Sequence, residues 1–292
     1  MSFVYTFGSR TYDLSARTHI MGVLNVTPDS FSDGGKYLDP ERAVDHALHM
    51  VDEGADIIDI GGESTRPKSA AYQEGADAVS AAEELRRVIP VISALARQSD
   101  IPISIDTYKA EVAAAALDAG ACIVNDISGF RFDPAMPATV AQRGASAILM
   151  HIKGTPKTMQ ANPAYDDLIG EVRASLRASV SDAAHAGIRQ IMIDPGIGFG
   201  KTREHNLQLL RNLARFASLG CPVVVGVSRK SFLGELLNLP IAERLEGSLA
   251  AAAAAVLYGA HVIRVHDVRQ SKRAMMVVDA IKSASTLAEL AY

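Results

Sequence analysis

The chain has 292 residues, of which 48% are hydrophobic and 21% charged, with a formal net charge of −4. That length admits one large α/β barrel or two small domains, and the composition excludes a disordered chain. Without a basic excess nucleic acid is not the default partner, so any phosphate recognition must come from a few local charges.

The first residues, MSFVYTFGSR, hold no apolar segment of the kind a signal peptide needs. Residues 3–15, FVYTFGSRTYDLS, alternate in polarity around Gly-Ser and predict a short β-hairpin, placed to close the bottom of a barrel. Eight β-rich runs follow: 18–26, 55–62, 101–107, 121–127, 146–152, 191–196, 222–228 and 261–267. They are continuous Val/Ile runs without polar alternation, as in parallel strands covered on both faces. Amphipathic segments lie between them, such as PERAVDHALHMVDEG and AEELRRVIPVISALARQ. Gly54, Gly120, Gly144, Gly187, Gly220 and Gly259 stand where helices should stop before the next strand.

Repeated strand-then-helix units without a linker predict a single (β/α)8 TIM barrel over 1–292, with an N-terminal β-hairpin. A doubly wound sheet is the competing architecture. Two strand-to-helix connections look long, roughly 26–39 and 63–74. Both fall at the C-terminal ends of strands, the face where such barrels carry their sites. The run GSLAAAAAAVLYGA is too short to span a bilayer. Cys122 and Cys221 each open a predicted strand and are expected to be reduced thiols in a cytoplasmic protein.

Polar residues collect at the same strand ends. They are Asn25; Asp59, then Glu63-Ser64-Thr65-Arg66; Asp106; Asn125-Asp126; His151 and Lys153; Asp194; Ser228-Arg229-Lys230; and Arg264, His266 and Asp267. Unpaired charge inside a doubly covered strand would cost several kcal/mol, about the penalty for any buried polar group, whereas at the mouth it costs far less. Asp126, Asp267 and Glu63 are read as caps or structural pairs, and Arg229 as one half of a structural ion pair. The others form a polar cup with two sides. Arg264 and His266 share a strand face, and with Asn25 and Thr65-Arg66 they suit a diphosphate with Mg²⁺. Asp106, Asn125, Asp194 and Lys230 suit the guanidine-like edge of a heterocycle.

Three features are set aside. GIGFGKT (196–202) mimics a phosphate-binding loop but has Pro195 where that pattern needs glycine. His46 and His49 lack companion ligands. Asp13, Asp77 and the charges of 83–87 read as solvated faces.

MGVLNVTPDSFSDGG (21–35) and DIIDIGGESTRPKS (56–69) resemble the two loop signatures of the dihydropteroate synthase family. SIDT, VNDISG, LMHIKGTPKTMQ, DPGIGFGK, VGVSRKSF and IRVHD follow in the family's order. The resemblance implies condensation of 6-hydroxymethyl-7,8-dihydropterin diphosphate with p-aminobenzoate, with Mg²⁺, in a homodimer. It implies that Asp106, Asn125, Met150, Asp194, Phe199, Gly226, Lys230 and Arg264 bind the pterin. Asn25, Thr65, Arg66, Arg264 and His266 would contact diphosphate, Asn25 being linked to the metal, with Asp59 nearby. Phe31, Thr65, Pro67, Ser228 and Lys230 would form the p-aminobenzoate site, under loops 26–39 and 66–74. Asn25, Arg66, Lys230, Arg264 and His266 are the implied catalytic set.

A pterin-dependent methyltransferase would share barrel and floor but needs no diphosphate site. A non-catalytic pterin-binding paralogue would be expected to lose Asn25, Arg66, Phe31 or Lys230, and all four are present. The Ala-rich last helices offer a surface for the implied dimer.

Overall fold

The computed structural model describes residues 2–27, 39–64 and 79–284. Phe31, Thr65, Arg66 and Pro67, with most of the two long loops, lie outside them, as does Asp77. A hairpin of β1 (Val4–Phe7) and β2 (Arg10–Asp13) comes first. Eight parallel strands follow: β3 (His19–Asn25), β4 (Ile57–Gly61), β5 (Ile103–Asp106), β6 (Ile123–Asp126), β7 (Ser146–Met150), β8 (Ile191–Asp194), β9 (Val224–Gly226) and β10 (Val262–Val265). Each coincides with a run read from the sequence. Their order is β8-β7-β6-β5-β4-β3-β10-β9, and a parallel bridge between Ile193 and Val223 joins the two outermost strands. This closure excludes the doubly wound sheet, which has two free edges.

The helices pack outside: α1 (Pro40–Asp52), α2 (Ala81–Gln98), α3 (Ala110–Asp118), α4 (Met136–Gln142), α5 (Leu168–His185), α6 (Arg203–Arg211), α7 (Ser231–Leu237), α8 (Leu245–Leu257) and α9 (Val268–Ser283). Asp39 caps α1, accepting the Glu41 N–H at 3.0 Å. Gly120, just after α3, has φ +120°, and an added Cβ would stand 2.7 Å from the Ala96 Cβ. The backbone can therefore turn there, against α2, only as glycine.

Strand period two decides what faces where. Ile20, Leu24, Ile58, Ile60, Ile105 and Val225 point outward into the helical layer. Met21, Ile57, Ile123, Ile148, Met192, Val224 and Val262 point inward and meet Phe7 and Leu14 of the hairpin, which plugs the bottom as expected. Burying such side chains contributes about 1.5–3 kcal/mol each. The bottom of the ring is thus filled mostly with hydrocarbon, with His19, Ser104 and Ser146 the buried polar side chains among it, and the charged inward positions lie above.

Three expectations need revision. A third strand-to-helix connection is long, running over 151–167 between β7 and α5. Its breakers, Gly154, Pro156 and Pro163, are spread out rather than clustered, so it does not stand out in the sequence. After β4, α2 starts at Ala81, capped by Ser80, and not near 74. The charges of 83–87 are not all solvated: Glu84 is 1% exposed and bonds Lys109 at 2.5 Å, while Arg87 donates to the Gly62 carbonyl at 2.8 Å. Gly62 lets α2 approach so closely that these side chains are covered; a Cβ there would stand 2.8 Å from Val88.

Cys122 and Cys221 are free thiols. Among the described residues no helix is long and apolar enough to cross a membrane.

Candidate active site

Above the apolar plug, the next inward position is polar on four strands and is Val23, Met150 and Gly226 on β3, β7 and β9. Asp59 lies two residues beyond Ile57, Asn125 two beyond Ile123, Asp194 two beyond Met192 and Arg264 two beyond Val262. Asp106 pairs in register with Asn125, and Met150 with Asp194. A cavity of ≈ 220 Å³ at the C-terminal end of the barrel is lined among others by Asn25, Asp106, Phe199, Lys230, Arg264 and His266, whereas Asp59, Asn125, Met150, Asp194 and Gly226 do not line it.

Asp59, at the centre of the floor contacts, is completely buried. Its Oδ2 accepts from Arg264 Nε at 2.6 Å and from Asn125 Nδ2 at 3.1 Å. Arg264 Nη2 donates to Asp106 Oδ2 at 2.7 Å, so one guanidinium joins two carboxylates. Burial pushes the Asp106 carboxyl up to about 7, with Arg264 pulling the other way. Burial also works against charge on Arg264, but Asp59 and Asp106 outweigh it and hold its pKa above the usual guanidinium value. This revises the two-sided reading of the cup. Arg264 belongs to the floor with the carboxylates, because the buried Asp59 needs a counter-charge within reach.

On the other side of the floor, Asp194 is 7% exposed and accepts the Gly196 N–H at 2.7 Å. Burial pushes its carboxyl up, with Lys230 opposing. Lys230 donates to the Ile197 carbonyl and stands 4.8 Å from the Phe199 ring centre. Its pKa is pushed down to about 8 by burial, against the pull of Asp194. Gly226 leaves room here: a Cβ would stand 3.7 Å from the Arg264 Cβ and 3.8 Å from the Lys230 Nζ. Gly196 has φ +72°, and a Cβ there would stand 1.9 Å from the His151 carbonyl oxygen. Gly196→Ala is expected to lower stability in urea titration by at least about 2 kcal/mol, since strain and a backbone clash act together.

At the rim, Asn25 ends β3 half-buried. His266 Nδ1 is 3.1 Å from Ser228 Oγ, and the His266 N–H donates to the same oxygen. The residues separately expected at the diphosphate and p-aminobenzoate sites are therefore in contact. Among the described residues no three His, Cys, Asp or Glu side chains form a metal cage. Asn25 offers one neutral oxygen, a donor set that fits Mg²⁺ held largely by phosphate oxygens and water.

The residues read as structural make the expected pairs and caps, although Glu63 and Arg229 also line the cavity. Arg229 Nε bonds Asp267 at 3.0 Å, and Glu63 accepts from Tyr108 at 2.8 Å. Asp126 accepts two backbone N–H groups, of Ser128 and Phe130. Lys201 of the false phosphate loop is buried and donates to His151 Nδ1 at 3.0 Å and the Phe199 carbonyl at 2.8 Å. It holds a loop rather than a ligand. His49 pairs with Glu53 on α1 at 3.2 Å. The sequence reading missed Met159, from the third long loop, in the cavity wall; nothing in its local pattern marks it.

The sequence profile of a family described as pterin binding enzyme matches residues 21–266. The dihydropteroate synthase of Synechocystis is 51% identical over 277 residues, covering 94% of this chain and 93% of that protein. The Escherichia coli K12 enzyme is 48% identical over 274 residues, covering 93% and 94%. Among solved structures, the Yersinia pestis dihydropteroate synthase with a sulfonamide drug superposes with a TM-score of 0.89 at 45% identity, covering 97% of this chain and 100% of that one. The Xanthomonas albilineans dihydropteroate synthase with 4-aminobenzoic acid gives 0.88 at 43%, covering 98% and 100%. With a family profile matched over 21–266 and relatives at 48–51% identity over more than nine-tenths of the chain, the chain belongs to the dihydropteroate synthase family of pterin-binding enzymes.

Proposed function

We propose that the protein condenses 6-hydroxymethyl-7,8-dihydropterin diphosphate with p-aminobenzoate, forming 7,8-dihydropteroate and releasing diphosphate. The observation that carries this reading is the floor, where Asp106, Lys230 and Arg264 line one cavity, Arg264 and Asn125 both bond the buried Asp59, and Asp194 pulls on Lys230. Buried carboxylates accept paired N–H donors, and a pterin presents such donors along one edge. Phe199 supplies an apolar wall for the ring.

The bond between the methylene carbon and the diphosphate oxygen breaks, and its electron pair leaves with diphosphate. Positive charge on the methylene spreads into the electron-rich dihydropterin, which makes an SN1-like path reasonable. The arylamine lone pair then forms the new C–N bond, and its proton is lost to solvent. A neutral amine needs positioning rather than a strong base. That accounts for a site built of binding groups. Asn25, Thr65, Arg66 and His266 would meet the leaving group, where cationic and N–H donors stabilise developing charge. Mg²⁺ held by Asn25 and the diphosphate would add positive charge there. Phe31, Pro67, Ser228 and Lys230 would hold p-aminobenzoate.

The test mixes purified protein, Mg²⁺, the dihydropterin diphosphate and p-aminobenzoate and follows dihydropteroate. Product that requires both substrates is expected. Pterin binding without product would instead favour a non-catalytic pterin-binding protein.

We further propose a homodimer in a reducing cytoplasm, which suits two free thiols. The dimer reading is supported by an apolar groove between α6, α7 and α8, where Leu236 is 54% and Tyr258 45% exposed. Light scattering should give twice the chain mass. Leu236→Glu should shift the protein toward monomer at micromolar concentration; an unchanged mass would count against this face.

A further inference from the structure

The turn that presents Lys230 is held by a side chain with no place in the site. Arg229, directly before Lys230, has φ +57°, a left-handed conformation that a non-glycine residue adopts only when its surroundings impose it. The neighbouring carbonyls of Arg229 and Lys230 face Arg244, whose Nη1 donates to them at 3.2 and 3.4 Å. Arg244 Nε donates to the Leu239 carbonyl at 3.1 Å, beyond the end of α7. Arg244 is 5% exposed, and no ion pair to a carboxylate is found for it among the described residues. The Arg229 N–H donates to Ser248 Oγ at 2.9 Å, and that hydroxyl donates in turn to the Arg244 carbonyl at 2.6 Å. A buried guanidinium bonded only to backbone oxygens is a costly way to fill space, and an apolar side chain would fill it more cheaply. Its acceptors identify its task. It satisfies the Arg229 carbonyl, shares the Lys230 carbonyl with the Leu233 N–H, and so ties the turn to the start of α7.

We infer that Arg244 is a positioning residue for Lys230, acting through the backbone of the Ser228–Lys230 turn without touching substrate. The inference rests on the proposed role of Lys230 in holding pterin and p-aminobenzoate. Two different substitutions should have the same effect. Arg244→Met removes the guanidinium. Gly234→Ala keeps it but displaces it, because a Cβ on Gly234 would stand 2.1 Å from Arg244 Nη2; alanine is otherwise favourable in α7.

The experiment measures steady-state kinetics and backbone hydrogen exchange on full-length wild type and both variants. Each variant should raise KM for both substrates and lower kcat/KM by roughly 10²-fold, as expected for a misplaced contact group. Arg244→Lys, which can reach one carbonyl, should fall between. Exchange over residues 228–233 should quicken in both variants while the far side of the barrel stays protected. If kcat falls with the folded fraction and both KM values are unchanged, Arg244 is only a packing residue and the inference fails. It fails equally if exchange at 228–233 does not change. A wild-type protein that forms no dihydropteroate would overturn the proposed function instead, and the exchange result would then decide the role of Arg244 by itself.

Discussion

Arg264→Met should be among the most damaging single substitutions in the chain. It leaves the completely buried Asp59 and its neighbour Asp106 without the guanidinium that bonds both. Breaking a buried pair by removing one partner costs about 3–5 kcal/mol, because the remaining charge has no compensation. Urea titration should show a loss of that size, and kcat/KM should fall by about 10³-fold, since the floor loses its geometry and its charge balance. The deficit should depend on pH with a definite sign. Burial already pushes Asp106 up to about 7 in the intact protein, and without Arg264, which pulls it down, that carboxyl rises further. A carboxyl raised in the folded state takes up a proton that the unfolded chain does not, so acid favours folding and stability falls as pH rises through the folded pKa. The variant should therefore be less impaired near pH 5 than near pH 8, about the span of that titration. Adding Asp59→Asn should restore part of the loss. A variant within about 1 kcal/mol of wild type would mean the pair is dispensable.

Lys230→Met carries the second large effect, and it should separate activity from stability. The methionine keeps most of the apolar stem, and removing a desolvated ammonium offsets what Asp194 loses. Thermal stability should change little, while kcat/KM should drop by about 10²–10³-fold, the range for losing one charged contact in a closed site. In wild type the same group predicts a basic limb. Its pKa is pushed down to about 8 by burial, so the ammonium is present below that value and lost as pH rises through it. The free-enzyme profile of kcat/KM should fall above about pH 8. Lys230→Arg, which does not deprotonate in this range, should move that limb upward even at reduced activity. A limb that stays in place in Lys230→Arg would assign it to another group.

Much of the site was legible because strand period converts sequence spacing directly into facing. Residues two apart share a face, so polar Asp59, Asn125, Asp194 and Arg264, each following an inward hydrophobic, had to line one cup. Asp106 and Lys230 were legible for a similar reason, at the ends of strands whose apolar runs are unmistakable. The grouping within the cup was not. Arg264 and Asp59 are 205 positions apart, and which carboxylate a guanidinium meets depends on closure and register around the ring. Contacts that act through the backbone were equally hidden. Arg244 reads as an unremarkable charge at the start of an Ala-rich helix, and its value lies in the carbonyl of a turn residue 15 positions earlier.

The sequence by itself determined the barrel, the plugging hairpin and the face of the barrel where its polar strand ends collect, because these follow from local periodicity and from which groups can be buried unpaired. Only the tertiary structure decided that Arg264 neutralises the floor rather than the rim, that Glu84 is buried, that Lys201 holds a loop, and that Ser228 and His266 touch. Each of these is a pairing of distant groups, and in a closed barrel such pairings are set by the geometry of the whole ring.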